Sequence, residues 1–260
     1  MKNICFILFF VPFIVFPQEP LERPEKILYK HQRYFGVNIH SLGWGFHGRK
    51  VWNNNVRWQH FVEVDITSMK HPKQVRTINT FFNDAKGYDY GKINSTFILR
   101  TGYGKERIIF DKPDFSGISV SAIASCGVSF AFLKPVYLDI FYQDDLTNEL
   151  YIETERYDSD NPSHTPYSIY GRTSYFKGFN EMTMQIGGYL KSGFNFEFSK
   201  KDEIIKSLEI GVSLDGYKIG SNSIFGKSIG EELPIMAEIR NKKTCLSFYI
   251  NINLFFGKRW

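Results

Sequence analysis

Four stretches of the chain place apolar side chains at every second position and small or polar side chains between them. They run from Ile118 to Leu133, Met182 to Phe198, Ser207 to Asp215 and Leu246 to Phe256. Because successive side chains of a β-strand point to opposite faces, this period predicts strands with one apolar and one polar face. The alternation therefore constrains the fold to antiparallel β-structure.

Four further stretches show the same alternation less regularly: Phe35 to Phe46, Val56 to Thr67, Ile93 to Tyr103 and Val136 to Tyr142. Some stretches keep their register far beyond the roughly 5 or 6 residues of soluble strands, which suits a tilted bilayer crossing. We therefore predict an all-β, antiparallel, up-and-down transmembrane β-barrel of eight strands over residues 34–260. Two alternatives stay open. A hairpin of Leu150 to Tyr157 and Pro166 to Arg172 would make ten strands, and a soluble β-barrel would also alternate.

The polar face of the predicted strands carries charges of both signs. An unpaired charge in a low-dielectric lumen is costly, so these groups are expected to pair with one another. We predict that Arg57 and Arg100 form ion pairs with Glu63, Asp65 or Glu209.

The first residues predict export. Lys2 precedes an almost purely apolar run from Ile4 to Phe16, and polar residues follow at Gln18 and Glu19. This is the pattern of a cleaved signal peptide, assigned to residues 1–18, with 19–33 as a periplasmic segment. Later stretches fall short of the roughly 20 apolar residues that a membrane helix needs. The alternation continues through Phe256 to Trp260, which predicts a C-terminal assembly signal and a location in the cell outer membrane.

A simple up-and-down order assigns the connections to two sides. Long loops are expected outside the cell, at His47 to Asn55, Lys105 to Ser116, Gln143 to Glu181 and Ser221 to Lys243. Lys200 to Glu203 is predicted as a periplasmic turn. Met69 to Gly91 is predicted on the periplasmic side too, where Val75, Ile78 and Phe82 have helical spacing.

We predict no catalytic, cofactor-binding or metal site. The six histidines are scattered, and the best Ser-His-acid combination, His40 with Ser119 or Ser121 and Glu63, is unconvincing as a hydrolase. Strand parity places Cys126 and Cys245 on opposite faces, so no disulfide is expected. The net charge of +5 is spread along the chain without a Lys/Arg run and gives no reason to expect nucleic acid as a partner.

Four short motifs resemble those of uncharacterised outer-membrane β-barrel proteins of the Bacteroidota type. They are Met69-Lys70-His71-Pro72-Lys73, Tyr90-Gly91-Lys92, Leu133-Lys134-Pro135 and Phe256-Gly257-Lys258-Arg259-Trp260. The resemblance spans most of the predicted mature chain. It implies an outer-membrane location, a barrel fold and a role as an accessory subunit of a larger envelope complex, and it transfers no catalytic residues.

The expected function is a non-enzymatic outer-membrane barrel that binds an envelope partner through its loops or its long periplasmic segment. Its other partners are outer-membrane lipid and, during insertion, the outer-membrane assembly machinery. Two alternatives are kept: a barrel-borne hydrolase acting on lipid or peptide, and a soluble periplasmic ligand-binding barrel.

Overall fold

The computed structural model describes residues 29–53, 55, 57–82, 84–112, 117–143, 149–200, 204–217, 234–237 and 244–260. The predicted signal peptide 1–18 lies outside the described residues, as does most of the segment 19–33. The first strand begins at His31, slightly before the predicted residue 34.

The described residues form β-strands and one short 3-10 helix at Phe179–Glu181. In chain order the strands are β1 His31–His40, β2 Gly43–Asn53, β3 Trp58–Met69, β4 Arg76–Thr77, β5 Tyr88–Asp89, β6 Asn94–Phe110, β7 Ser119–Pro135, β8 Tyr137–Gln143, β9 Leu150–Arg156, β10 Ile169–Arg172, β11 Thr183–Glu197, β12 Ser207–Tyr217 and β13 Thr244–Arg259. Within the described ranges no helix is long and apolar enough to cross a membrane.

Eight of these strands close into an antiparallel barrel, in the order β1, β2, β3, β6, β7, β11, β12, β13 and back to β1. The closing pair sets His40 opposite Tyr249 and Phe35 opposite Phe256. The predicted all-β antiparallel fold with eight ring strands is thus confirmed, and each ring strand neighbours the ring strands before and after it in sequence.

Two predicted strands were assigned wrongly. The stretch Phe35 to Phe46 holds parts of two strands, because the chain turns between His40 and Gly43. The inward parity changes across this turn, from even positions in β1 to odd positions in β2. The stretch Val136 to Tyr142 is β8, which pairs outside the ring with β9 and β10. The ten-strand alternative is also wrong, because the predicted hairpin corresponds to β9 and β10, which flank β8.

The barrel has its apolar side chains outside and its charged side chains inside. Phe35 and Phe248 are 59% and 65% exposed on the outer face, whereas Glu63, Asp65 and Glu209 are at most 1% exposed. Along β12, Ser207, Glu209, Ser213 and Asp215 are buried while Ile210, Val212 and Leu214 are exposed. The alternation of the sequence therefore corresponds to an outer apolar face and an inner polar face.

The connections separate into two groups. At the terminal end, where β1 begins and β13 ends, the links from β2 to β3, β6 to β7 and β11 to β12 are short. At the opposite end, the loop end, lie the long links from β3 to β6, β7 to β11 and β12 to β13. Residues 69–91 were predicted on the short-turn side, which is wrong, because alternating strands place them at the loop end. Residues 47–53 and 105–110 belong to β2 and β6 and are not loops.

A cap of small sheets covers the loop end. It contains the β10-β8-β9 sheet and the β4-β5 hairpin, so the helix considered for residues 69–91 is not formed in the part that is described. Ile235 and Met236, from the link between β12 and β13, pack with Met69, Ile98 and Leu133 at the inner rim. A second apolar cluster joins Tyr88 to the β8 sheet through Leu138, Ile140 and Ile169. The loop end of the lumen is therefore lined by packed apolar side chains.

Candidate functional site

A buried group of charges occupies the middle of the barrel. This lumen network consists of Arg49, Glu63, Asp65, Lys191 and Glu209. The Nη2 atom of Arg49 lies 2.8 Å from Oε2 of Glu63 and 3.0 Å from Oε2 of Glu209. The Nζ atom of Lys191 lies 3.3 Å from Glu63 and 3.2 Å from Asp65. Two cations thus hold three carboxylates that have almost no exposed surface.

Tyrosine hydroxyls and the His47 ring add hydrogen bonds to this network. Arg49 donates to the hydroxyl of Tyr34, Tyr249 donates to Glu209 over 2.7 Å, and Tyr189 donates to Glu63 over 3.1 Å. The Nδ1 atom of His47 lies 2.5 Å from Asp65. Buried charges are tolerated when such partners satisfy their remaining hydrogen-bonding capacity. The network therefore fixes the strands that carry it in one register.

Further polar groups fill the lumen on either side of the network. Toward the loop end, Arg100 makes two parallel bonds of 2.7 Å to Asp215. Toward the terminal end, Glu106 accepts hydrogen bonds from Ser121 and Asn195. Eight strands enclose a space that side chains can fill, and these layers occupy it. The described interior therefore resembles a polar core more than a water-filled channel.

The structure brings four of the five predicted network residues into the lumen and excludes one. Glu63, Asp65, Arg100 and Glu209 are buried, but Arg57 is exposed between β2 and β3. The predicted pairing of Arg57 with a lumen carboxylate is wrong. Arg100 does lie in the lumen, but its carboxylate partner is Asp215, which the prediction did not include.

Arg49, the central cation, was not among the predicted network residues. It was placed in a predicted loop from His47 to Asn55, whereas it lies on β2 and faces inward. A signal was present, since Trp44 and Phe46 alternate with Gly45, His47 and Arg49. Lys191 lies on the polar face of the predicted strand from Met182 to Phe198, but only closure of the barrel brings it to Glu63.

The lumen offers little to a metal ion. His47, Glu63 and Asp65 each present a ligand atom within 4.8 Å of the others. Lys191 already binds both carboxylates, and Arg49 also binds Glu63. A cation at this position would meet two fixed positive charges, so the donor set is better explained as part of the ion-pair network.

The hydrolase combination is not assembled. His40 ends β1 at the loop end, and its Nδ1 atom accepts a hydrogen bond from the backbone of Leu42. Ser119 and Ser121 begin β7 at the terminal end, where Ser121 bonds Glu106. These serines, considered as possible lumen neighbours of His40, lie at the opposite end of the barrel, because antiparallel order separates them.

The remaining singled-out residues lie on the barrel wall or at its edge. Trp260 pairs with His31 through two backbone hydrogen bonds, and its ring lies 4.8 Å from the guanidinium of Arg33. Phe256 pairs with Phe35 in the closing strands. Cys126 is exposed on the outer face of β7, whereas Cys245 packs against the inner cluster, and neither is in a disulfide.

A cleft of about 760 Å³ opens at the loop end, between the rim of the barrel and the cap. This basic cleft is lined by residues of the link between β3 and β6, by the end of β7 and by the segment that follows β10. Among the described lining residues Asp89 is the acidic one and seven are lysine or arginine: Lys70, Arg76, Lys86, Lys92, Lys134, Arg172 and Lys177.

Comparison with known proteins adds no family to this geometry: the chain matches no family model, no curated protein and no solved structure.

Proposed function

We propose that this protein is an integral barrel of the cell outer membrane, synthesised with a cleaved signal peptide, that acts as a non-enzymatic accessory subunit. The observation that carries the proposal is the burial pattern, with apolar side chains outside and ion pairs inside. In water such an arrangement would expose a wide apolar band, which monomeric soluble proteins avoid. Surrounded by hydrocarbon, the same band is favourable, and the buried backbone groups are satisfied by the closed ring.

The occupied lumen supports a structural role over a pore. Arg49, Lys191 and their carboxylate partners lie across the middle of the barrel, and Arg100 with Asp215 adds a second layer. Solutes would have to break these charge-assisted bonds in order to pass. Function is therefore proposed to reside at the ends of the barrel, in contact with a partner.

The loop end carries the side chains that suit a protein partner. Phe81 and Tyr167 are 73% and 71% exposed, and their rings pack together at 5.8 Å. Phe176, which is 79% exposed, adjoins Tyr175 and Phe179. Exposed aromatic residues are enriched in protein interfaces. With the terminal end toward the periplasm, this surface would face outward and bind another envelope protein.

A spin label on Cys126 tests the membrane assignment. The mature chain carrying Cys245→Ser would be labelled at Cys126 and reconstituted into phospholipid vesicles. Collisions of the label with oxygen, which concentrates in hydrocarbon, should exceed collisions with a water-soluble nickel complex.

The matched control has Cys126→Ser, Cys245→Ser and a new label at Tyr151→Cys in β9 of the cap, where the nickel complex should dominate. If the label at Cys126 also favours nickel, or if the protein stays in the aqueous fraction, the barrel is soluble and the proposal fails.

A further inference from the structure

Most cations of the basic cleft have no ion pair with the residues that the structure describes. Within the described part of the chain, Asp89 pairs with Lys92 at 3.5 Å. The same described residues provide no ion pair for the other six lining cations, which are Lys70, Arg76, Lys86, Lys134, Arg172 and Lys177. The lumen, by contrast, pairs its charges almost completely. This difference indicates that the cleft is built to receive negative charge from elsewhere.

Lys134 is the fixed cation of the cleft. It is only 5% exposed, and its Nζ atom donates to the carbonyl oxygens of Tyr175, over 2.6 Å, and Lys177, over 3.2 Å. The rings of Tyr175 and Phe179 lie 4.6 Å and 5.2 Å from Nζ. A buried ammonium without a carboxylate is costly, and a bound anion would relieve that cost.

Two arginines supply planar donors. Arg76 lies on β4, across from β5, and its guanidinium passes directly over Gly87, where a Cβ atom would lie 2.6 Å from Nε. Arg172 ends β10 and is exposed at the cleft. Guanidinium groups bind phosphate oxygens through two parallel hydrogen bonds, which ammonium groups do not. The combination of two arginines with five lysines is suited to phosphate.

Mutual repulsion between the cations of the cleft also favours a negatively charged ligand. Burial lowers the pKa of the Lys92 ammonium, Asp89 counters this effect, and neighbouring Lys70 lowers the pKa again.

Three of the four sequence motifs also meet here, since Lys70, Lys92 and Lys134 each belong to a different one. The exposed aromatic residues of the proposed partner surface, by contrast, lie outside these motifs.

We infer that the basic cleft binds a ligand with clustered phosphate groups, either a phosphorylated lipid headgroup or a soluble polyphosphorylated compound. The cleft lies at the barrel rim, beside the outward-facing Ser95 and Phe97. If the barrel spans a membrane as proposed, this rim lies at the level of the headgroups. The lipid source thus rests on the proposed function, whereas binding of phosphate does not.

Calorimetric titration tests binding directly. The purified protein in a non-ionic detergent would be titrated with inorganic tripolyphosphate, and the affinity should fall as NaCl is added, because salt screens the cleft. Arg76→Gln with Lys86→Gln should weaken binding about tenfold or more, since both residues donate charge-assisted hydrogen bonds. Both side chains are exposed, so folding should be retained.

The matched control is Arg57→Gln with Lys206→Gln. Both residues are exposed at the terminal end, and the double substitution removes the same charge. It should bind tripolyphosphate as the unmodified protein does. Absence of binding, or equal weakening by both double variants, would overturn the inference.

A lipid arm distinguishes the two sources. Phosphatidylcholine nanodiscs containing the protein would be prepared with diphosphoryl lipid A, with its monophosphoryl form, or with neither. Co-purification that favours the diphosphoryl form and is lost in Arg76→Gln/Lys86→Gln assigns the site to a lipid headgroup. Tripolyphosphate binding without lipid preference assigns it to a soluble ligand. A protein that binds tripolyphosphate but does not enter nanodiscs refutes the membrane proposal and leaves the phosphate site intact.

Discussion

Arg49 and Glu209 form an ion pair across the barrel, with Nη2 of the arginine 3.0 Å from Oε2 of the glutamate. They lie 160 residues apart in sequence, on β2 and β12, which are not neighbours in the ring. Neither side chain has exposed surface. The pair therefore connects parts of the wall that no backbone ladder joins directly.

Replacing Arg49 by Met should be strongly destabilising. The substitution leaves Glu63 and Glu209 buried with a main cationic partner missing, a situation that costs about 3–5 kcal/mol. Urea unfolding of the protein in vesicles, followed by tryptophan fluorescence, measures the change. Arg57→Met is the control, because Arg57 is exposed, and it should stay within about 0.5 kcal/mol. Equal unfolding midpoints for the two variants would contradict the assigned role of Arg49.

A charged residue introduced on the outer face should destabilise the barrel more strongly the deeper it lies in the membrane. Leu190 is 60% exposed near the middle of β11. Leu190→Arg should cost about 2–4 kcal/mol in vesicles, as cations do on the lipid face of a barrel. Tyr151→Arg, on the exposed face of the cap strand β9, should be nearly neutral. If Leu190→Arg leaves the free energy of unfolding unchanged, water and not lipid covers this face.

The missing side chain of Gly211 leaves space for the Tyr249 side chain to reach Glu209. A Cβ atom at Gly211 would lie 2.7 Å from the Tyr249 hydroxyl and closer still to the backbone carbonyl oxygen of Ser192. Gly211→Ala should therefore cost about 1–3 kcal/mol through overpacking. Gly216→Ala in the same strand is the matched control, since nothing lies within 4 Å of its Cβ position. Thermal unfolding compares the two, and a Gly211→Ala midpoint equal to that of Gly216→Ala would exclude the close approach.

The exposed aromatic residues of the loop end should govern partner binding. We expect Phe81→Ser with Phe176→Ser to abolish recovery of a companion envelope protein after cross-linking in cells, because such anchors dominate interface energies. Both side chains are exposed, so heat-modifiable migration of the barrel should be unchanged. A paired change of Ile210→Ser and Val212→Ser on the barrel wall controls for general loss of apolar surface. Undiminished recovery of the same companion would place the interface elsewhere.

Some features of the fold could be predicted because they are local. The alternation in Ser207 to Asp215 follows from the two-residue period of a strand, so the inward position of Glu209 and the outward position of Val212 could be read directly. The eight-strand count came out right although two strands were misassigned. The turn at Ser41 and Leu42 was missed, although serine is a common turn residue and Gly43 follows, because apolar residues continue on both sides of it.

Sequence alone determined that one face of each strand is apolar and the other polar, since that pattern is written in consecutive residues. The sequence alone did not determine which charged residues pair with one another. Arg100 pairs with Asp215, and Arg49 with Glu209, only because ring closure brings distant strands to opposite sides of one narrow lumen. The basic cleft likewise collects Lys70 and Lys92 from the link between β3 and β6, Lys134 from β7 and Arg172 from β10. Tertiary structure decided these groupings, because the energy of a charge depends on what surrounds it in space.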